Sequence, residues 1–554
     1  MREKVRATLQ DLLKEVCPEE AGTSFSLAPP PTGISGDLSS NAAMLVSRKM
    51  KVSPRVLAER LARSIEGKGI VGKADVAGPG FLNVFIKEDW ILSEFREILR
   101  ARELYAQRPP ENREKMLIEF VSANPTGPLH VGHGRGAALG DSLSRIFKHL
   151  GHEAVTEYYV NDVGNQMQNL GLSVMKQCQE DPLYLRPSEQ ALVAAKNPAD
   201  LYKGDYILHL ARALREKHPD ASARPEGVDF FREYALNEIL NVIRKDLEHF
   251  QVFFDGWYRE SDLYKKQAVE AALSRLKDGG YLKEEDGALW FLSTRLGDDK
   301  DRVIKRKDER PTYFASDIAY HDDKFRRGFV RLVNIWGTDH HGYVSRLKGA
   351  VKALGYEPDR LVILLYQLVT LVRDGKPVSM STRSGEFVTL TEVVDEVGRD
   401  AARFFFALRS PDSHLEFDLE LAKRQAPENP VFYVQYVHAR CCSLFREAEK
   451  RGIQAADVTD FTVPARLSEP ERDLLMKLIS YPDTLEMCVE DLSPHHLTAY
   501  LLGLASEFHR FYEKCRVLSD DAAEARFRLA IVDGTRTIIR NALQLLGVSS
   551  PDKM

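Results

Sequence analysis

His130 and His133 lie three residues apart in the stretch IEFVSANPTGPLHVGHGRGAALGD, residues 118–141, with Val131 and Gly132 between them. An apolar run, MLIEFV, ends in a Pro/Gly-rich turn just before them, and a helical pattern, GRGAALGDSLSRIFKHLG, begins beside them. The carboxyl end of a parallel strand is where open α/β sheets bind ligands. A helix N-terminus there offers unpaired N–H groups and partial positive charge, which suit phosphate. Residues at i and i+3 share a helix face, so both imidazoles can reach one anion. Gly132 has no Cβ and lets a flat ring lie against the backbone. Such a site would hold ATP and stabilise charge building on its phosphates. On spacing alone two alternatives stay open. One is a capping turn with two surface histidines; the other is a zinc site whose remaining ligands are unidentified.

The elements around this stretch set its context. MLIEFV, the helix and EAVTEYYV form a strand–helix–strand unit, which implies a parallel sheet. Residues 165–290 interrupt the alternation with long helical patterns such as DFFREYALNEILNVIRKDLEHF, read as a largely helical insertion. Alternation resumes at PTYFASDIAYHDDKF, VRLVNIWGTDHHG and RLVILLYQLVTLV. Residues 1–110 read as a small α+β unit, with FLNVFI as a strand and Asn41 and DLSS as caps or turns. After residue 410 nothing strand-like is apparent, and four or five amphipathic patterns predict a helical bundle over 411–554. The fold class is therefore α/β, a Rossmann-like catalytic domain over 111–410 between an α+β domain and an all-α domain.

The chain has 554 residues, too many for one core. With 44% hydrophobic and 29% charged residues its composition is that of a soluble protein. The net charge of -5 excludes a globally basic nucleic-acid binder but not a local basic face. No apolar run approaches a membrane span, and the charged N-terminus lacks a secretory core. The six cysteines form no C-x-x-C pair, so no zinc knuckle is indicated and a reducing cytoplasm is expected.

SANPTGPLHVGHGRGAALGD resembles the HIGH motif of class I aminoacyl-tRNA synthetases, in its arginyl-tRNA synthetase version. ENPVFYVQYVHAR and ALQLLGVSSPDKM resemble that family's anticodon-binding helices, and DAARFFFALRSPDSHLEFDLELA its interdomain link. DLSSNAAMLVSRKM with VAGPGFLNVFI resembles its N-terminal domain, which in the family contacts the tRNA elbow. The resemblance spans most of the chain. It implies two-step aminoacylation: activation of L-arginine by ATP with magnesium, then transfer to the 3′ end of the tRNA. It also implies a need for bound tRNA in the first step, and a monomer.

By the same resemblance, residues Ala123, Asn124, Pro125, Thr126, Gly127, Pro128, Leu129, His130, Val131, Gly132 and His133 meet ATP. His130, Gly132 and His133 are the catalytic part. Glu119, Ser122, Asn124, Tyr313 and Asp317 match the arginine pocket, with Tyr313 stacking and Asp317 binding the guanidinium. A spacing of four puts those last two on one helix face. Gly337, Asp339, His340 and His341 end another strand, where they either face the nucleotide or are structural. Tyr433, Tyr436 and Arg440 are candidates for anticodon contact, or in part bundle core.

One departure stands out. The second class I ATP motif, KMSKS, matches VSMSTRSGEF: Met380 and Ser381 fit, while Ser379 and Thr382 stand where lysines would be. Some arginyl enzymes place a compensating lysine three residues after the asparagine, but here that position is Gly127. Arg373, Lys376 and Arg383 are the nearby cations, and Arg383 or Lys376 is expected to serve the phosphates on a loop that closes. A catalytically silent tRNA-binding paralogue is the rival that this departure supports. A cysteinyl enzyme would show zinc-ligand cysteines, and a glutamyl enzyme a cationic pocket.

Overall fold

The computed structural model describes residues 1–20, 22–31, 33–108, 113–181, 183–378, 388–453 and 461–554. Met380, Ser381 and Arg383 lie outside the described residues.

The central element is a five-stranded, all-parallel sheet: β1 (Lys115–Glu119), β2 (Glu153–Val160), β3 (Gly256–Arg259), β4 (Arg331–Gly337) and β5 (Leu361–Tyr366), in the spatial order β5-β4-β1-β2-β3. The order reverses between β1 and β4, which pair from Arg331↔Met116 to Asn334↔Glu119. That reversal is a switch point, and the crevice outside the carboxyl ends of β1 and β4 is where such a sheet takes ligands. β1 reads as a nearly continuous apolar run because both its faces are covered. Met116 and Ile118 enter the main core, while Leu117 enters a smaller core with Leu332 and Leu361 on the other face.

The helix α1 (Val131–His149) links β1 to β2 and carries HVGH at its start. Its glycines set how closely it approaches the sheet. A Cβ on Gly140 would lie 2.2 Å from the Phe120 ring, and one on Gly136 would lie 2.9 Å from the Tyr366 hydroxyl. Two buried guanidiniums hold α1 from outside. Arg135 donates to the carbonyls of Gln367, Ser410 and Ser413 at 2.7–2.9 Å. Arg403 donates to Asp141 on α1, to Leu546 O at 2.6 Å and to Phe250 O at 3.1 Å.

The insertion runs helical through Asn165–Gln177, Asp205–Lys217 and Val228–His249. The chain then returns to the main sheet as β3, inside the stretch read as insertion, and a three-stranded antiparallel sheet follows at 282–305. RLVILLYQLVTLV proves to be two strands in two sheets: β5, and Val369–Arg373. The latter pairs in parallel with Leu415–Asp418, so strand structure persists past residue 410. DLSS, expected to be a cap or turn, supplies the strand Leu38–Ser40, because it is the inner strand beside Phe81–Ile86 in a four-stranded antiparallel sheet. Asn41 does precede the helix Ala42–Met50, but its side chain accepts from Ser26 N–H instead of capping it.

The C-terminal helices Pro430–Lys450, Glu469–Ile479, Tyr481–Glu490, His495–Lys514 and Ala522–Leu545 form a bundle. It also packs on Glu88–Ala101 of the N-terminal part. Arg472 binds Asp37 through two hydrogen bonds, at 2.9 and 2.7 Å, across that junction.

Gly140→Ala tests the close approach of α1 to β1. Alanine is worth up to about 1 kcal/mol over glycine inside a helix, whereas overpacking costs about 1–3 kcal/mol. With the new methyl 2.2–2.6 Å from three Phe120 ring atoms, the clash should win. A lowered thermal midpoint of the full chain is expected; an unchanged or raised one would refute the packing account.

Candidate active site

The chain leaves β1 through a strained turn. Val121 and Ser122 have φ of 65° and 40°, and neither is glycine. Such conformations cost about 1–3 kcal/mol each and persist only where the surroundings enforce them. Here Ser122 is fixed from both sides. Its Oγ donates to Glu119 Oε1 at 3.1 Å and accepts from Tyr159 N–H at 3.1 Å. Tyr158 Oη donates to Ala123 O at 2.9 Å, and Tyr206 Oη donates to Thr126 O at 2.8 Å. Pro125 and Leu129 are buried, while Asn124 is exposed; Thr126, Gly127 and Pro128 are partly exposed.

His130 is the N-cap of α1. Its Nδ1 accepts from Gly132 N–H at 3.1 Å, and His133 Nδ1 accepts from His130 N–H at 3.2 Å. This is a capping box built from two imidazoles. The rings stack at 3.7 Å between centroids. Burial lowers the pKa of His130; burial and then the neighbouring His130 take His133 to about 3. Both rings are therefore neutral near pH 7. With Nδ1 acting as acceptor, the ring proton sits on Nε2. A Cβ on Gly132 would lie 3.0 Å from His130 Cε1, so the flat ring resting against that backbone is the His130 imidazole itself.

Residues 388–390, which follow the stretch similar to KMSKS, pair with the chain at the same place. Val388 O accepts from Val131 N–H at 3.2 Å, Leu129 O accepts from Leu390 N–H at 2.8 Å, and His130 bridges Thr389. On the entry side, Lys376–Pro377 pairs with Val372–Arg373. Lys376 is exposed, and Arg373 binds Glu396 at 2.7 Å.

Beyond the β1 and β2 ends lies an acidic pocket. Tyr313 opens the helix α2 (Tyr313–Arg326), is 51% exposed, and rests its hydroxyl where a Cβ of Gly164 would be. It lines a cavity of about 230 Å³ with Gly164, Glu260 and Tyr264, and Arg306 and Arg310 border the same cavity. Asp317, one turn on, accepts from the Tyr343 hydroxyl. Burial, reinforced by Glu260 and Glu119 and opposed by Tyr343, raises the Asp317 carboxyl to about 7. Burial likewise raises Glu260. Neither carboxylate has a salt-bridge partner within 4.0 Å among the described residues. Glu119 differs: buried Lys324 reaches it at 2.5 Å and Asn334 Oδ1 at 3.2 Å. Its other oxygen takes Ser122.

Gly337 ends β4, and Asp339, His340 and His341 are exposed in the 3₁₀ turn Thr338–Tyr343 that follows. His340 Nε2 lies 3.5 Å from Asp339. Tyr433, Tyr436 and Arg440 lie past the last sheet strand, on the helix Pro430–Lys450. Both tyrosine rings stack on His509, at 5.1 and 6.1 Å, and Arg440 lies over Tyr512.

Sequence reasoning missed Glu260, Tyr343 and Lys324. Glu260 starts a short helix directly after β3, so reading GWYR as a sheet strand would have placed it at the ligand end. Tyr343 had its signal in GTDHHGY, where the adjacent histidines drew attention instead. Lys324 stands in the charged run DDKFRR, a pattern that is usually solvated, and only its helix register buries it.

Three family models match the chain: an arginyl-tRNA synthetase N-terminal domain at residues 1–86, the class I (R) tRNA synthetase catalytic domain at 94–414, and a DALR anticodon-binding domain at 434–554. An arginine–tRNA ligase of Carboxydothermus hydrogenoformans is 44% identical over 96% of this chain and 94% of the relative. One of Bacillus subtilis is 42% identical over 100% and 98%. The solved arginyl-tRNA synthetase of Thermus thermophilus superposes with a TM-score of 0.78 over 100% of both chains, at 20% identity, which speaks for the fold. The order of the three matched domains, and identity above 40% along the whole length, place this chain in the arginyl-tRNA synthetase family, class I ligases that join arginine to tRNA.

Proposed function

We propose that the crevice between β1 and β4 carries out arginine activation as follows. One observation bears most of the weight: Asp317 and Glu260 are neighbouring buried acidic groups, both with raised pKa and neither in a salt bridge among the described residues, and Glu260 shares its cavity with the Tyr313 ring. Burying such groups is costly unless a partner arrives. A guanidinium, planar and always charged, supplies one; it forks onto carboxylates and stacks on Tyr313. Glu119, with Ser122 and Lys324 fixing it, and Asn124 at the mouth complete the arginine subsite.

The arginine carboxylate then attacks the α-phosphate of ATP, and pyrophosphate leaves. The neutral His130 and His133 present Nε2–H donors, and α1 its N-terminal dipole, to charge developing on the phosphates. Gly337, Asp339, His340 and His341 lie at the adjoining strand end, for the nucleoside. Arg383 or Lys376 supplies the cation that the KMSKS lysines would have given, and magnesium travels with the triphosphate. The 2′-OH of the terminal tRNA ribose next takes the arginyl group and AMP leaves. Tyr433, Tyr436 and Arg440 offer stacking and a cation to anticodon bases. The chain acts as a cytoplasmic monomer; in support, its parts pack through one shared core, and no described helix is long and apolar enough to cross a membrane.

ATP–pyrophosphate exchange separates this reading from its rivals. Exchange should require arginine and rise steeply when cognate tRNA is added. Exchange with another amino acid, or none under any condition, would overturn it.

His133→Asn keeps a side-chain acceptor near the Nδ1 position, so the capping box can survive, but removes the Nε2 donor. Loss of one such donor usually costs about 10²–10³ in kcat. We expect a loss of that order in adenylate formation with tRNA affinity and thermal midpoint nearly unchanged. A loss below about threefold would remove His133 from the chemistry.

The Asp317 carboxyl near 7 predicts a pH dependence. Guanidinium binds the carboxylate, so below pH 7 binding must expel a proton, and affinity falls as pH falls. KM for arginine should rise about tenfold from pH 8 to pH 6. In Asp317→Asn, KM should be high and flat. A wild-type KM independent of pH would refute a titrating Asp317.

A further inference from the structure

The C-terminal bundle holds a group of side chains that aminoacylation does not use. His438 and Cys442 stand four residues apart on the helix Pro430–Lys450, so they share one face. At about 100° per residue that face is nearly opposite Tyr433, Tyr436 and Arg440. Asp552, in the segment after the last helix, joins them. Cys442 Sγ lies 3.4 Å from Asp552 Oδ1 and 3.9 Å from His438 Nδ1. His438 and Cys442 are buried and Asp552 is exposed. All three border a cavity of about 460 Å³.

We propose that His438, Cys442 and Asp552 form a binding site for a thiophilic divalent cation of the zinc class, fastening the chain terminus to the back of the helix that bears the aromatic row. A tetrahedral zinc site with bonds of about 2.0–2.3 Å has ligand–ligand edges of about 3.3–3.8 Å; the 3.4 Å between Cys442 Sγ and Asp552 Oδ1 falls in that range, and one ligand atom from each of the three residues lies within 4.8 Å of the others. Imidazole, thiolate and carboxylate are the donor types such an ion takes, and the cavity leaves room for water in the fourth position.

The charge balance also fits. Binding expels the thiol proton of Cys442 to solvent, so the ion's two charges meet one thiolate and one carboxylate and the site closes neutral. Of the three arginines that border the cavity, Arg536 binds Asp533 at 2.6 Å and Arg540 binds Glu103, while Arg446 donates to a backbone carbonyl, Asp552 O, at 3.2 Å. His438 also bonds Pro551 O through Nδ1 at 3.0 Å, a contact of the kind that orients metal-ligating imidazoles when the other nitrogen coordinates.

The test is titration of the reduced full-length chain with Co2+, followed by absorption. A thiolate-to-cobalt charge-transfer band should appear, saturate at one ion per chain and vanish on adding Zn2+. Cys442→Ser should abolish the band. Asp552→Asn alters only an exposed side chain, so it keeps the fold, and should weaken Co2+ binding about tenfold or more. Absence of the band in the wild type, its persistence in Cys442→Ser, or unchanged affinity in Asp552→Asn would each overturn the proposal.

Discussion

The position of α1 is the constraint on which the rest depends. Its first turn must bring two imidazoles and a row of N–H groups to the carboxyl end of β1, at the switch point. Three devices fix it there. Gly140 lets Phe120 enter the helix surface, and Gly136 does the same for Tyr366. Arg135 then ties α1 to Gln367 and to Ser410 and Ser413, beyond the sheet. Arg403 joins α1, the end of the insertion and the end of the last bundle helix through one guanidinium. A buried guanidinium is costly unless its donors are satisfied, so these carbonyls cannot drift without penalty. The C-terminal bundle is thereby linked to α1 by hydrogen bonds and an ion pair as well as by direct packing.

A second constraint is the surplus of buried negative charge. Glu119, Glu157 and Asp322 each have a cation: Lys324, Arg327 and Arg275. Asp317 and Glu260 have none within the same distance. Under the proposed function, these two are the carboxylates left for the cationic substrate. Tyr343 links this pocket to the nucleotide side, since its hydroxyl bonds Asp317 while its backbone closes the turn that carries Asp339 and His341. Under the proposed function, a guest held by Asp317 is thereby connected to the segment at the end of β4.

The parallel sheet, HVGH at a helix start and the order of the three parts were legible in the sequence, because periodicity and turn residues are local signals. What escaped depends on long-range pairing. Leu415–Asp418 is too short to announce itself and exists as a strand only because Val369–Arg373 lies alongside. DLSS looks like a turn in isolation and becomes an inner strand between two partners. Glu119 was read as a pocket residue, but its partner Lys324 is 205 residues away and looked solvated. The use of both Nδ1 atoms in a capping box could not be foreseen either, since it depends on ring orientation.

The missing lysines of the second ATP motif can be weighed by geometry. Steric exclusion does not explain Gly127, because a Cβ there would meet Tyr206 only at 3.5 Å, an ordinary contact. The cation is thus left to the loop, and the chain's own connections limit where the loop can go. Residue 388 is hydrogen-bonded to Val131, inside HVGH, and the entry strand Val369–Arg373 begins beside Gln367, which Arg135 of α1 holds. Arg383 is five residues from Val388, a span of at most about 18 Å even when fully extended. Under the proposed function this tether at Val388 matters more than the exact position of a lysine in the motif, and Arg383 serves in place of the lysine that Thr382 replaces.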